Sequence, residues 1–173
     1  MKELILGGVR SGKSRYAEQR ARDSSLPVVY VATATADDPE MSARIRAHRE
    51  RRPAEWTLVE APLALAATLR VHTAPNRCVL VDCLTLWLTN LLCADDEEKF
   101  RSERDALLDV LPTLPGHIIL VSNETNLGVM PLGELTRRFG DEAGCLHQAL
   151  ARVCDRVVLT VAGLPLVLKG TAT

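Results

Sequence analysis

Gly7, four intervening residues, and then Gly12, Lys13 and Ser14 form the stretch that most restricts how this chain can fold. The spacing is that of a phosphate-binding loop, which requires a strand running into it and a helix leaving it. Both are legible. Glu3 to Leu6 is a short apolar run, and Lys13 to Arg22 (KSRYAEQRAR) is rich in helix formers. The glycines let backbone N–H groups turn inward around a polyphosphate at a helix N-terminus, where the dipole favours negative charge. Lys13 then reaches the outer phosphates, and the Ser14 hydroxyl is a ligand for Mg²⁺. Gly7, Gly8, Val9, Arg10, Ser11, Gly12, Lys13 and Ser14 are therefore read as a nucleoside triphosphate site. The competing reading, a glycine-rich turn that merely joins strand to helix, explains neither the lysine nor the serine.

The remaining chain alternates in the same way. The near-continuous apolar run Leu26–Ala32 reads as a parallel strand buried on both faces, and Trp56–Glu60, Cys78–Asp82 and His117–Ser122 read as further strands. Between them, helices are expected from about Glu40 to Arg51, Pro62 to Arg70, Leu84 to Leu92, and Asp95 to Leu111, the last closed by Pro112 and Pro115. Gly133 to about Asp155 is expected to be helical with an interruption near Gly140 or Gly144. Arg156–Val161 and Leu164–Lys169 read as a hairpin about Ala162 and Gly163. The alternation implies an α/β domain over residues 1–173, a mostly parallel sheet flanked by helices with an antiparallel C-terminal edge.

Composition narrows the function. Lys and Arg number 21 against 22 Asp and Glu, so no global charge draws the chain to nucleic acid or an anionic membrane. Aromatic residues make up only 3%, too few for base-stacking platforms. The five cysteines are odd in number and lack CxxC spacing, which suits reduced thiols in the cytoplasm. No apolar run is long enough to span a membrane.

Ligands of open α/β sheets sit beyond the carboxyl ends of the strands. The polar residues falling there are Thr33, Glu60, Asp82 and the run Ser122, Asn123, Glu124. Asp82 ends a hydrophobic strand, as the carboxylate that organises Mg²⁺ does in phosphate-loop enzymes; an ordinary helix cap before Leu84 is the alternative. Glu60 and Glu124 stand equally as site residues or as solvated loop carboxylates.

A second stretch, Met41 to Pro53, collects Arg and His in a protein with no overall basic excess. On a helix, Arg44 and His48 lie four apart, with Arg51 and Arg52 one turn further on. Guanidiniums suit bidentate phosphate contacts. Their charge also disfavours the imidazolium, which keeps His48 neutral and nucleophilic near pH 7. A solvated basic helix with a surface histidine fits the same residues.

Five segments in order, GGVRSGKSRYAE, VVYVATA, DDPEMSARIRAHRERRPAEWTLVE, VLVDCLTLWLTNLL and VSNETNLGVMP, resemble the bifunctional adenosylcobinamide kinase/adenosylcobinamide-phosphate guanylyltransferase family. The resemblance implies a P-loop NTPase (RecA-like) fold and two reactions of adenosylcobalamin biosynthesis. A nucleoside triphosphate, ATP or GTP, phosphorylates the aminopropanol hydroxyl of adenosylcobinamide. GTP then loads GMP onto an enzyme histidine, which passes it to the cobinamide phosphate. By the same resemblance the guanylylated residue is His48, and nucleotide contacts fall on Ala32, Thr33, Ala34, Arg49, Glu50, Arg51, Arg52, Glu60 and Asp82. Ala47 replaces the first of two adjacent histidines found in some relatives. Two departures touch fine contacts: Thr125 and Asn126 replace an expected small residue and glycine, and His147 replaces an expected asparagine.

His72 and His117 lack a basic cluster and read as structural, while His147 is a reserve nucleophile. A large corrinoid on so small a domain implies a site between subunits and hence a homo-oligomer. Two rivals stay open: a simple P-loop small-molecule kinase without a covalent intermediate, and a RecA-like ATPase acting on protein or DNA.

Overall fold

The computed structural model describes residues 1–35, 53–125, 127, 128 and 131–171. The helix expected from Glu40 to Arg51, with His48, Arg49, Glu50, Arg51 and Arg52, lies outside the described residues. Runs of Val, Ile and Leu in the expected places become the strands β1 (Lys2–Gly7), β2 (Val28–Ala32), β3 (Thr57–Glu60), β4 (Cys78–Asp82) and β5 (His117–Asn123). The hairpin supplies β6 (Arg156–Val161) and β7 (Leu164–Lys169). They form a seven-stranded sheet in the order β3-β2-β4-β5-β1-β6-β7. Every neighbouring pair is parallel except β6 with β7.

The central strands β1, β2, β4, β5 and β6 are largely buried because both their faces are covered, whereas the edge strands β3 and β7 are largely exposed. Leu4, Leu6, Val79, Val81, Ile118, Leu120 and Val157 point to one face. There they meet α2 (Leu65–His72), α3 (Leu84–Cys93), α4 (Glu97–Val110) and α5 (Glu134–Val153) through Leu65, Leu69, Leu88, Phe100, Leu107, Leu146 and Leu150. Ile5, Tyr30, Leu80, Ile119 and Val121 point to the other face, where Ala17 and Ala21 of α1 (Lys13–Asp23) pack with Trp56. Each fully buried aliphatic side chain contributes about 1.5–3 kcal/mol, which makes the sheet a rigid base for its loops.

The expected break in the last helix is absent: α5 runs without interruption through Gly140 and Gly144. Each glycine costs about 1 kcal/mol relative to alanine. The continuous stripe of Ala143, Leu146, His147 and Leu150 buried against the sheet outweighs that cost. Trp56, expected in a strand, precedes β3 instead and is buried with the Arg22 guanidinium 5.5 Å from its ring. Pro62 likewise lies before α2, which begins at Leu65.

Register aligns the strand ends. Gly7 pairs with Asn123, Val121 with Asp82, and Ala32 with both Asp82 and Glu60. A single carboxyl edge therefore carries Glu60, Ala32, Asp82, Asn123 and Gly7 in that spatial order.

Candidate active site

The loop after β1 is held too tightly for most side chains. A Cβ on Gly7 would lie 2.4 Å from Ser11 Oγ and 2.7 Å from the Thr160 carbonyl oxygen. Gly12 sits at φ 95°, a left-handed conformation that L side chains rarely adopt, and opens α1 as its cap. Ser11 N–H donates to the Gly8 carbonyl at 3.2 Å, and Gly163 N–H of the β6–β7 turn donates to the Ser11 carbonyl at 2.8 Å. The C-terminal hairpin thus braces the loop from outside. Val9 and Arg10 are exposed at its tip, whereas Ser11 Oγ is buried with no hydrogen-bond partner among the described residues.

Lys13 folds back so that Nζ donates to the Gly8 carbonyl at 3.2 Å. Burial pushes its pKa down, opposed by the fields of Cys83 and Asp82. Asp82 ends β4 at the same carboxyl edge as the loop, close enough for its field to act on Lys13. Asp82 Oδ2 accepts from Tyr30 Oη at 3.2 Å. This partner was hidden in the sequence inside the run VVYVA, although a buried tyrosine in a parallel strand has to satisfy its hydroxyl.

Thr33 is fully buried. Its Oγ1 donates to the Cys83 carbonyl at 2.7 Å and accepts from Cys83 N–H at 2.9 Å. Asn90 Nδ2 donates to the carbonyls of Thr33 at 2.8 Å and Pro62 at 3.0 Å. The Thr33 side chain is therefore a strut between the ends of β2 and β4. Ala32 and Ala34 flank it, half-buried, while Glu60 is exposed at the end of edge strand β3.

A further polar group lies at the end of β5. His147 of α5, buried, places Nε2 2.8 Å from Ser122 Oγ and Nδ1 3.9 Å from Glu124 Oε2. Burial lowers its pKa, against the field of Glu124. Sequence reasoning treated this histidine as a spare nucleophile and missed its pairing with Ser122. The amphipathic position beside Leu146 and Leu150 was the available signal that it faces the sheet. Of the other two described histidines, His117 is bonded to Glu3 at 2.7 Å, and His72 offers its carbonyl to Arg77 Nη1 at 3.0 Å. The His117 ring is thus tied to a buried carboxylate, whereas the His72 contact is made by its backbone.

A phosphate loop, an acidic strand end at the same carboxyl edge and a parallel sheet with β1 beside β5 together specify a nucleotide-binding fold. The profile of the family "Cobinamide kinase / cobinamide phosphate guanyltransferase" matches residues 3–168. The chain belongs to this family.

Among its members, the bifunctional adenosylcobalamin biosynthesis protein CobP of Pseudomonas aeruginosa is 65% identical over 170 residues, covering 98% of each chain. The bifunctional adenosylcobalamin biosynthesis protein CobU of Escherichia coli is 37% identical over 179 residues, covering 96% of this chain and 98% of its own. Among solved structures, the RadB recombinase aligns with a TM-score of 0.52 at 19% identity, over 91% of this chain and 73% of its own. That likeness concerns the fold alone. A protein of Pyrococcus horikoshii aligns with a TM-score of 0.54 at 10% identity, over 99% of this chain and 87% of its own. The cobinamide kinase/guanyltransferase chain has no helix, among the described residues, long and apolar enough to cross a membrane.

Proposed function

We propose that this protein is a cytoplasmic enzyme, one nucleotide-binding domain over residues 1–173. In this reading it phosphorylates adenosylcobinamide from a nucleoside triphosphate, ATP or GTP. It then transfers GMP from GTP, by way of His48, to the resulting phosphate. The observation that carries the reading is the placement of the phosphate loop and Asp82 at one carboxyl edge of the sheet, in a chain of this family.

Gly7 to Ser14 cradle the triphosphate with backbone N–H groups. Lys13 neutralises charge that moves onto the leaving group, an effect worth several kcal/mol in a water-poor site. Asp82 and the Ser14 hydroxyl are hard oxygen donors and would suit Mg²⁺, which usually takes few protein ligands and completes its shell with phosphates and water. When bound, Mg²⁺ supplies charge neutralisation at the phosphate oxygens. Ala32, Thr33 and Ala34 line the nucleotide through backbone, since the Thr33 hydroxyl is held by Cys83. Glu60, Arg49, Glu50, Arg51 and Arg52 complete the nucleotide contacts.

In the guanylyl step a nitrogen of the His48 imidazole attacks the α-phosphorus. The bond from α-phosphorus to the bridging oxygen breaks, pyrophosphate leaves with the electron pair, and the imidazole N–H proton goes to solvent. A phosphate oxygen of cobinamide phosphate then displaces the imidazole and releases adenosylcobinamide-GDP. Splitting the transfer holds the activated group between two easier steps.

The active assembly is a homo-oligomer in this reading, supported by the exposed apolar side chains Val161, Leu164, Leu166 and Leu168 along the edge hairpin. Light scattering on a sizing column tests it, a strict monomer being the refuting result. The catalytic reading is tested by a paired assay, with γ-labelled triphosphate followed into the corrinoid and α-labelled GTP followed into protein. Transfer of the first label with no protein-bound second label would reduce the enzyme to a simple kinase.

A further inference from the structure

Phosphoryl transfer to an alcohol has to dispose of the hydroxyl proton, and a positioned base near the phosphate loop does this in kinases generally. Three carboxylates stand at the carboxyl edge among the described residues. Glu60 ends β3, separated from β1 by β2, β4 and β5. Asp82 is tied to Tyr30 and to the field of Lys13. Glu124 alone follows a strand adjacent to β1, and its backbone N–H donates to the Gly7 carbonyl at 3.0 Å, which moors it to the first residue of the loop.

Behind Glu124 lies an ordered chain of hydrogen bonds. Asn123 N–H donates to Thr85 Oγ1 at 2.7 Å, Thr85 Oγ1 lies 3.3 Å from Ser122 Oγ, and Ser122 Oγ lies 2.8 Å from His147 Nε2. Each hydroxyl has one proton to give, so the chain runs in one of two directions. If Nε2 carried the ring proton, the Nδ1 lone pair would face the Glu124 carboxylate, an unfavourable contact. If Thr85 donates to Ser122 and Ser122 to Nε2, the proton sits on Nδ1 and points at the carboxylate. The charge of Glu124 selects this second direction. His147 Nδ1 is buried with no hydrogen-bond partner among the described residues, and the 3.9 Å gap to Glu124 Oε2 closes with a carboxylate shift of about an ångström to ordinary bond length. Its side chain is only 8% exposed, that of Glu124 16%, so the pair meets solvent through the carboxylate.

We infer that Glu124 is the base that accepts the substrate hydroxyl proton in the kinase step, and that His147 is the positioning residue that holds this carboxylate through Nδ1–H. The inference rests on the kinase half of the function proposed above. The hydroxyl oxygen of the acceptor forms its bond to the γ-phosphorus. The bond from γ-phosphorus to the bridging oxygen breaks, with its electron pair leaving on the nucleoside diphosphate. The hydroxyl proton passes to Glu124 Oε and from there to solvent.

The experiment measures, for wild type, Glu124→Gln, Glu124→Asp and His147→Asn, the kinase kcat and KM with cobinamide and γ-labelled triphosphate across pH. Labelling of the protein by α-labelled GTP is measured alongside. Glu124→Gln is expected to lower kinase kcat by about 10²–10⁴-fold with the nucleotide KM within threefold and protein labelling retained. Glu124→Asp, which keeps the charge, recovers part of that loss. His147→Asn is expected to move the acid limb of the kinase profile to lower pH, because an imidazolium that ties up the carboxylate is no longer available to form. Glu124 is the charged group whose field reaches that ring. A Glu124→Gln kinase within tenfold of wild type, equal loss of both activities, or an acid limb unmoved in His147→Asn overturns the assignment. A wild-type chain that phosphorylates no cobinamide overturns the kinase reading and the assignment together, whereas an active wild type with an indifferent Glu124→Gln overturns the assignment alone.

Discussion

Strand β1 carries a polar cluster at each end, and the two are built on opposite plans. Near its start, Glu3 is fully buried among Arg20, His117 and Arg156. Arg20 donates to both of its oxygens at 2.9 and 3.2 Å, His117 Nε2 lies 2.7 Å away, and Arg156 Nε lies 3.6 Å away. Near its end, among the described residues, Lys13 donates to a backbone carbonyl, Ser11 Oγ and His147 Nδ1 are buried without hydrogen-bond partners, and the acids stand on separate strands. The first cluster consumes its own charge and ties α1, β1, β5 and β6 together. The second leaves the Ser11 hydroxyl with hydrogen-bonding capacity beside the loop. A cleft of about 560 Å³ opens beside Arg20 and His117, where the polar groups already bond to one another. Unspent polar capacity, on rigid strand ends, is the better guide.

This contrast is open to attack by substitution. The largest effect is expected from Lys13→Ala, which removes the positive charge proposed to neutralise the triphosphate. Nucleotide affinity and both half-reactions should fall by about 10³-fold while the unfolding midpoint stays near wild type. Titration calorimetry and the paired label assay read this, and retention of either reaction at wild-type rate breaks the shared-site picture. Glu3→Gln should do the reverse, costing about 3–5 kcal/mol of stability by leaving buried cations uncompensated. Turnover per folded molecule should be kept, as denaturant titration and active-site counting will show.

Gly12→Ala is expected to fall between the two. It forces a side chain into the left-handed region with Gly163 Cα 3.0 Å from the new Cβ, costing about 1–3 kcal/mol together with nucleotide affinity.

The smallest expected effect is on acid stability. Burial would raise the Glu3 pKa, but hydrogen bonds and charge from His117 and Arg20 hold it at about 2, below the ordinary 4.5. A carboxylate depressed on folding contributes stability that is complete above the unfolded value. That contribution is lost as pH falls from 4.5 through about 2. Wild-type stability should therefore decline across that window, and Glu3→Gln should flatten the decline. Urea midpoints from pH 5 to about pH 2 provide the check.

The strands and the phosphate loop were legible because each is a local signal: a run of Val, Ile and Leu, or a fixed spacing of glycines and lysine. The positions of Asp82 and Glu124 at one edge followed from the parallel-sheet rule, which needs only strand order and direction. What could not be read is what long-range contact decides. Glu3 and Lys2 look alike as a charged start to the chain, yet Glu3 is buried among groups 17 and 114 residues away. Thr33 was expected at the nucleotide, and nothing nearby in sequence announces that its hydroxyl is spent on Cys83, 50 residues on. Two glycines in α5 suggested a break that the buried stripe around them overrides. His147 was visible as a helix residue, but its tie to Ser122 exists only once α5 lies over β5.

The central claim is that an imidazole in this chain carries GMP from GTP to cobinamide phosphate. It is tested most directly by incubating the protein with α-labelled GTP and following protein-bound label in wild type and His48→Ala. The account predicts acid-labile, base-stable label in wild type, discharged by cobinamide phosphate, and none in His48→Ala. No label in wild type, or label that survives the substitution, would contradict it.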